Sequence, residues 1–162
     1  MDINKCIEFI KVKHEGQKRK QGTPYYMHPL SVCNMLKEKG FSEEYQIAGL
    51  FHDLIEDTDC IYDEILALGN ENIVEAVRCV TKEPGYNMKD YVERIRNNEM
   101  AKMVKLADRV HNLSEAWTCG KEWAEKYIEE TEIWYVDLSK GTVFEDDLKK
   151  VILDLKTRNW RT

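Results

Sequence analysis

The sequence predicts an all-α fold in a single domain that spans residues 1–162. Successive segments carry apolar residues at the three- and four-residue spacing of amphipathic helices, and glycine, proline or helix-capping residues separate these segments. A chain of 162 residues with 43% hydrophobic residues is long enough to bury one core. The sequence contains no internal repeat, low-complexity tract or interdomain linker.

The first two predicted helices flank a loop. The first covers residues 3–14 and stops at Gly16. Residues 17–29 contain glycine and proline without an apolar period, so they are predicted to form a loop. Pro29 is expected to start the second helix, because proline suits the first helical turn, and Gly40 is expected to end it.

The third predicted helix leads into the most polar stretch of the chain. It begins after Ser42, a favourable N-cap residue followed by two glutamates, and runs to His52 and Asp53. Asp59 is expected to cap the next helix, which Gly69 ends, and another short apolar helix follows. The candidate functional residues therefore lie at the carboxyl end of the third helix.

The second half of the chain is also predicted to be helical. Asn87 is expected to cap a helix that residues 97–98 end. Residues 99–113 show two faces, an apolar stripe and a polar stripe, and the polar stripe consists of Lys105, Asp108 and Asn112. Two closing helices, joined at residues 140–142, carry aromatic and apolar stripes that are interpreted as core.

Residues 51–57 read FHDLIED and hold an adjacent His52–Asp53 pair followed one turn later by Glu56–Asp57. On a helix these four side chains would crowd one side. Three acids and an imidazole repel one another unless a cation or shared protons neutralise them, and the neighbouring apolar residues indicate partial burial. The pattern predicts a divalent metal site.

Two other stretches offer further metal ligands. His28 stands directly before a proline, and Asp108 lies on the polar stripe of the later helix. With His52 and Asp53 they form a set of two imidazoles and two carboxylates, which suits manganese, iron, cobalt, nickel or zinc better than calcium. Each residue taken alone is more simply explained as a satisfied polar residue, and only the combination favours a metal.

Three motifs occur in a characteristic order: HEGQKRKQGTPYYMHP at residues 14–29, HDLIEDT at residues 52–58 and KLADRVHN at residues 105–112. Together they resemble the HD phosphohydrolase superfamily and, more narrowly, the hydrolase domain of RelA/SpoT-type alarmone enzymes. The resemblance implies an HD-domain helical bundle. It also implies a divalent metal, expected to be manganese, held by His28, His52, Asp53 and Asp108.

The resemblance implies that Glu56 and Asp57 orient the attacking water or pass a proton. A metal in such a site lowers the pKa of a water molecule and draws in a phosphate oxygen, so phosphoester hydrolysis is its natural use. The alternative is a solvated pair of acids at a helix end. Acids at the carboxyl end oppose the helix dipole, which makes that alternative less favourable.

One dense basic run, KRK at residues 18–20, precedes the proposed ligand His28. By resemblance, Arg19 would lie over a guanine base, Lys20 would contact phosphate or base, and Asn112 would hold the nucleoside. A solvated run of charges is the simpler alternative for such a triplet. Further positive charge for the substrate would come, if the fold brings them close, from Lys82, Lys105 and Arg109.

The predicted function is hydrolysis of the 3′-pyrophosphate of guanosine tetra- or pentaphosphate (ppGpp or pppGpp), the alarmones of the stringent response, to GDP or GTP. Because the sequence ends at Thr162, no synthetase domain is expected. One alternative is an HD phosphohydrolase for another nucleotide, such as a nucleoside monophosphate or an NADPH-type phosphate. Another is a catalytically silent nucleotide-binding module, against which the intact set of candidate metal and acid residues argues.

Composition predicts a cytoplasmic protein. The amino terminus opens directly into an amphipathic pattern, so neither a signal peptide nor a membrane span is expected. Five widely spaced cysteines without a Cys-x-x-Cys pair indicate reduced, mostly buried thiols. A net charge of −6 argues against general binding to nucleic acid or anionic lipid. The expected partner is a small guanine nucleotide, and a homo-oligomer is left open.

Overall fold

The computed structural model describes residues 1–160 and confirms the all-α class. Over these residues no β-strand forms, and an isolated β-bridge joins Lys18 to Pro24. None of the helices in this part of the chain has the length and apolar character that crossing a membrane requires. In chain order, the helices are α1 (Ile3–Lys13), α2 (Met27–Glu38), α3 (Glu43–Phe51), α4 (Leu54–Asp57), α5 (Tyr62–Leu68), α6 (Glu71–Val80), α7 (Met88–Arg96), α8 (Glu99–Glu115), a 3₁₀ helix (Ala116–Cys119), α9 (Lys121–Trp134), α10 (Val136–Ser139) and α11 (Glu145–Lys156).

The described chain divides into two compact units. The first is Met1–Lys105, and the second begins at Leu106. The division falls inside α8, a helix of 17 residues that continues through it. The prediction that residues 1–162 form one domain stays a prediction, and its last two residues lie outside the described part of the chain.

Helix α3 is central to the first unit, where it packs against α1, α2 and α6. Its last five residues, 47–51, are all buried. Such a run is apolar around the whole helix, so only a position inside the unit removes it from water. This burial places the end of α3, and the residues that follow it, within the packed part of the unit.

A glycine permits α2 and α3 to approach closely. A Cβ atom added at Gly49 would lie 2.9 Å from Cδ1 of Leu36 and 3.2 Å from Cγ1 of Val32. Both neighbours are fully buried, so neither can move away without disturbing other contacts. The close packing of these two helices fixes the relative positions of the residues that each contributes to the candidate site.

Gly49→Ala is expected to lower the free energy of unfolding by about 1–3 kcal/mol, because the added methyl group overpacks the contact between α2 and α3. Urea denaturation measured by circular dichroism provides the check. Alanine is intrinsically the better helix former, so increased stability would show that the helices can separate to admit the methyl group.

The start of α2 differs from the prediction. The helix begins at Met27 rather than Pro29, so His28 lies inside its first turn and not at the end of a loop. The N–H groups of a first helical turn have no partner within the helix, so proline is tolerated there without loss of a hydrogen bond. Pro29 therefore predicted the first turn of α2 correctly but not the residue at which the helix begins.

Helix caps were predicted with mixed success. Asn87 caps α7 by accepting a hydrogen bond from the N–H of Asp90, as expected. Ser42 stands at the N-cap position of α3, although its side chain makes no capping hydrogen bond. The predicted cap at Asp59 is wrong, because Ile61 occupies the N-cap of α5. The Asp59 carboxylate instead accepts a hydrogen bond from Lys13 Nζ at 2.9 Å.

The second unit is built around α9, which packs against the 3₁₀ helix, α10 and α11. Arg109 is buried in this unit, with its guanidinium carbon 4.1 Å and 4.3 Å from the ring centroids of Tyr127 and Tyr135. Its Nη2 also donates to Glu130 at 2.6 Å. This burial and pairing argue against the expected role of Arg109 as a substrate-facing cation.

The five cysteines in the described part of the chain are free thiols, as predicted. Four are buried, and Cys119 is partly exposed. Burial raises the pKa of Cys6, Cys33 and Cys60 to about 11, so these thiols remain protonated and weakly nucleophilic at neutral pH. Their role is packing rather than chemistry.

Candidate active site

The backbone turns between α3 and α4 at His52 and Asp53. Helix α3 ends at Phe51, two residues earlier than predicted, with His52 at its C-cap and Asp53 at the N-cap of α4. The stretch that was considered as one helix is therefore two, and α4 carries Glu56 and Asp57. A periodic apolar pattern runs through the turn, so periodicity alone does not reveal it.

Two histidines and an aspartate meet in the first unit. One ring nitrogen of His28 lies within 4.8 Å of one of His52, and the ring centroids are 5.2 Å apart. Asp53 Oδ2 lies 3.1 Å from His52 Nε2 and 3.7 Å from His28 Nε2. The histidines are only 1% and 4% exposed. Three atoms of the kind that bind divalent metals therefore converge where α2 meets the end of α3.

A backbone contact fixes the tautomer of His52. Its Nδ1 lies 2.7 Å from the carbonyl oxygen of Gly49. A carbonyl oxygen only accepts, so in the neutral ring Nδ1 carries the hydrogen and Nε2 presents its lone pair towards Asp53. Metal-binding histidines use this arrangement, in which one ring N–H is anchored and the other nitrogen is presented to the ion. The donor set therefore fits a metal of the kind the sequence predicts.

Tyr25 orients the carboxylate of Asp53. Its hydroxyl donates a hydrogen bond to Asp53 Oδ2 at 2.7 Å. The ring packs against two histidines, with centroid distances of 5.0 Å to His14 and 6.0 Å to His28. Sequence reasoning did not assign a role to Tyr25. The available signal was its position three residues before His28 in the first motif.

Glu56 and Asp57 have raised pKa values. Protein atoms around each side chain remove part of its hydration, and this loss is the largest cause of the raised pKa. The negative charges of Asp53 and Glu56 add to it and raise the pKa of Asp57 to about 6. A hydrogen bond from the Lys82 backbone N–H opposes the rise at Glu56. Acids that titrate nearer neutral pH are suited to exchange protons with a substrate or water.

Two lysines lie close to the ring of Tyr91 in the first unit. Nζ of Lys82 and Nζ of Lys105 lie 5.4 Å and 5.6 Å from its centroid. The ring is buried, and its hydroxyl donates to the carbonyl of Val80 at 2.8 Å, so its position is fixed. Both ammonium groups lower the pKa of Glu56. The structure therefore brings these two predicted cations together beside the candidate acids.

Arg19 and Lys20 lie in a tight turn within the predicted loop before α2. The Arg19 N–H donates to the carbonyl of Thr23, and the Arg19 carbonyl accepts from the Gly22 N–H, both at 2.9 Å. Gly22 has a φ of 93°, a conformation that glycine adopts without strain. Lys20 is exposed at the tip, and Arg19 is half-buried. The loop presents these two side chains from a defined backbone.

Asp108 and Asn112 lie together on α8, in the second unit. Asp108 is buried, and Asn112 Nδ2 donates to its Oδ1 at 3.1 Å. Residues four apart share one face of a helix, so this contact holds the carboxylate in one orientation. The continuous helix α8 carries Lys105 one turn before Asp108.

Comparison with known proteins identifies the family. A sequence profile described as "HD domain" matches residues 6–140, which include each motif that carried the resemblance. The chain therefore belongs to the HD-domain family.

Individual relatives carry more specific names. A protein of Aquifex aeolicus named guanosine-3′,5′-bis(diphosphate) 3′-pyrophosphohydrolase is 36% identical over 146 residues, which cover 85% of this chain but only 21% of that protein. This chain thus spans about a fifth of the length of that relative. A protein of Xenopus tropicalis, guanosine-3′,5′-bis(diphosphate) 3′-pyrophosphohydrolase MESH1, is 33% identical, and the match covers 94% of this chain and 93% of that one.

The fold matches a solved structure over nearly its whole length. That structure is described as a metazoan ortholog of SpoT that hydrolyses ppGpp and plays a role in starvation responses. The TM-score is 0.82 at 26% sequence identity, and 93% of each chain is covered. The predicted HD-domain helical bundle is thereby confirmed.

Proposed function

We propose that this chain is a metal-dependent hydrolase that removes the 3′-pyrophosphate of guanosine tetra- or pentaphosphate and leaves GDP or GTP. The observation that carries the proposal is the convergence of His28, His52 and Asp53 beside two acids whose pKa values are raised. Phosphoester hydrolysis uses a metal ligand set and a proton-transferring group side by side. The names of relatives matched over more than nine-tenths of this chain support the alarmone as substrate.

Four residues would hold the metal: His28, His52, Asp53 and Asp108. The first three present ring nitrogens and a carboxylate oxygen in the first unit, and Asp108 adds a carboxylate that Asn112 orients. This mixed nitrogen and oxygen set suits borderline metals, and manganese is the proposed ion. When bound, such an ion supplies Lewis acidity to the phosphate and lowers the pKa of water.

The protein's own acids would manage the protons. At pH 7 most Asp57 carboxylates are ionised, since the pKa is about 6, so Asp57 can accept a proton from the attacking water. Glu56, held by the backbone N–H of Lys82, would orient that water. The water oxygen forms a bond to the phosphorus that carries the 3′ oxygen, and the bond from this phosphorus to the 3′ oxygen breaks. The proton that Asp57 accepted then passes to the 3′ oxygen, leaving a hydroxyl group on the nucleoside and free pyrophosphate.

Cationic and amide side chains would bind the nucleotide. Lys20 and Lys105 are proposed to contact phosphate, Arg19 to lie against the guanine base and Asn112 to contact the nucleoside. The position of Lys105 next to Tyr91 and Glu56 supports a phosphate role, because it adds positive charge beside the acids. Lys82 contributes charge at the same place.

Arg19→Ala is expected to raise KM for guanosine tetraphosphate about ten-fold, because stacking of a guanidinium on a base contributes roughly 1–2 kcal/mol when desolvated. KM for a small phosphodiester such as bis(p-nitrophenyl) phosphate should not change. Steady-state kinetics on both substrates measure the split. Arg96→Ala is the matched control, since Arg96 pairs with Glu93 on the exposed face of α7. Equal effects on both substrates would indicate a general phosphatase.

Tyr25→Phe is expected to weaken manganese binding about ten-fold or more, because it removes the hydrogen bond that orients Asp53 and leaves the ring in place. Titration calorimetry on the metal-free protein gives the affinity. Tyr26→Phe removes a neighbouring hydroxyl and serves as the control. Unchanged affinity in Tyr25→Phe would show that Asp53 needs no orientation by this hydroxyl.

A nucleotide panel tests the proposed function. Manganese-loaded protein is incubated with guanosine tetraphosphate, nucleoside monophosphates and NADPH, and the products are identified by mass. Release of pyrophosphate from the alarmone supports the proposal. If the protein instead releases phosphate from a nucleoside monophosphate or from NADPH and leaves the alarmone intact, the same site acts on another nucleotide. The cytoplasmic location stays a prediction.

A further inference from the structure

A chain of hydrogen bonds joins the end of α1 to the end of α4 through the side chains of His14 and Gln17. Gln17 Nε2 donates to the backbone carbonyl of Asp57 at 2.7 Å. Gln17 Oε1 lies 2.8 Å from Nδ1 of His14. His14 is only 2% exposed, and its own carbonyl accepts a hydrogen bond from the Gln17 N–H at 3.0 Å. The side chain and the backbone carbonyl of His14 therefore both hold Gln17, whose amide contacts the backbone of Asp57.

The orientation of both side chains follows from donor and acceptor chemistry. The Asp57 carbonyl oxygen only accepts, so the amide nitrogen of Gln17 must face it and the amide oxygen must face His14. His14 Nδ1 therefore carries a hydrogen and donates it to Gln17. Burial lowers the pKa of His14, which favours this neutral ring. Its Nε2 is buried and has no hydrogen-bond partner among residues 1–160, so the ring of His14 is held by its contact with Gln17.

The contact between Gln17 and Asp57 lies at the carboxyl end of α4, where the backbone carbonyls have no hydrogen-bond partner within the helix. Helix α4 is only four residues long. The Gln17 amide supplies a partner to Asp57, the residue whose carboxylate is proposed to accept the proton. Fixing this peptide group limits the directions in which the Asp57 side chain can point.

We propose that Gln17, held in its orientation by His14, is a positioning residue for Asp57. The inference deepens the proposed function and rests on it, because it assigns Gln17 to the alignment of the proton acceptor. Gln17 acts through the backbone of Asp57 and contacts neither substrate nor metal. A misplaced catalytic group lowers turnover even when substrate binding is intact. Loss of the Gln17 contact should therefore lower kcat and leave KM unchanged.

Gln17→Met tests this, because methionine keeps the length of the side chain and removes both hydrogen bonds. Gln46→Met is the matched control: Gln46 is also half-buried, and its Nε2 donates to the backbone carbonyl of Phe41 at 3.0 Å, in a contact that α4 does not share. We expect kcat to fall about ten-fold in Gln17→Met, with KM and metal content within about two-fold of the parent. The control should keep its kcat even if both variants lose thermal stability equally.

A double-mutant cycle separates positioning from general destabilisation. If Gln17 acts through Asp57, Gln17→Met should not lower kcat further in protein that already carries Asp57→Asn. An unchanged kcat in Gln17→Met would overturn the proposal. So would an equal fall in kcat when Gln17→Met is introduced into the parent protein and into Asp57→Asn.

A readout without substrate keeps this result distinct from failure of the proposed function. The ¹³C resonance of the Asp57 carboxyl group, measured in metal-free protein, should move in Gln17→Met and remain in place in Gln46→Met. A resonance that moves in neither variant overturns the positioning role, whichever nucleotide the enzyme hydrolyses. If parent protein releases no pyrophosphate from the alarmone while the resonance moves, the proposed substrate is wrong and the positioning role stands.

Discussion

His52→Ala and Asp108→Ala proteins are expected to retain less than about a tenth of the bound manganese and to lose hydrolase activity. Removing one ligand from a set of four weakens the chelate, and the remaining ligands lose the cation that offsets their charge. The loss should be large for His52, because its ring is anchored on the Gly49 carbonyl and so presents Nε2 in a fixed direction. Elemental analysis of the purified variants, after removal of loosely bound metal, gives the occupancy.

Two control substitutions separate ligand loss from general damage. His111→Ala removes a histidine of α8 whose Nε2 pairs with Glu115 at 2.7 Å, and Asp146→Ala removes an exposed first-turn acid of α11. Both proteins should keep full metal occupancy. Full occupancy in Asp108→Ala would contradict the assignment of this residue as a ligand.

Protein that carries both Glu56→Gln and Asp57→Asn is expected to keep its metal and to lose roughly a hundred-fold or more in kcat, the usual scale of general acid–base catalysis. The amides preserve size and part of the hydrogen bonding but cannot accept a proton from water. Metal content by elemental analysis and kcat from steady-state kinetics are measured on the same preparation.

A double substitution of two acids outside the site provides the comparison. Asp59→Asn with Glu64→Gln removes the two carboxylates that pair with Lys13, at 2.9 Å and 3.1 Å. This protein should retain near-normal kcat. Loss of metal from the Glu56 and Asp57 variant would assign these acids to the ligand set, and near-normal kcat would make them solvated acids without a role in proton transfer.

The spacing of apolar residues was sufficient to predict the helical class. The order of the motifs was sufficient to predict the HD family and the stretches that approach one another in the first unit. His28, His52 and Asp53 were selected because imidazoles and a carboxylate in two separate motifs are hard to explain by packing alone, and the structure brings these three together. Their binding of metal stays a prediction, as do the roles assigned to Glu56, Asp57 and the substrate-contacting residues.

The contacts that orient this group were not predictable, because they depend on tertiary structure. Nothing in the local pattern shows that the Tyr25 hydroxyl reaches Asp53 or that the Gln17 amide reaches a carbonyl 40 residues away. The turn after Phe51 was missed for a related reason, since the apolar period continues across it. Arg109 was considered as a further source of positive charge because it lies beside the polar stripe, and only its burial between two tyrosine rings argues against that role.

Hydrolysis of guanosine tetraphosphate in ¹⁸O-labelled water by the manganese-loaded protein tests the central claim most directly. Attack of water on the phosphorus next to the 3′ oxygen predicts pyrophosphate that carries one ¹⁸O atom and GDP that carries none, both read by mass spectrometry. Pyrophosphate without label, label in the GDP, or no release of pyrophosphate at all would contradict the proposed reaction.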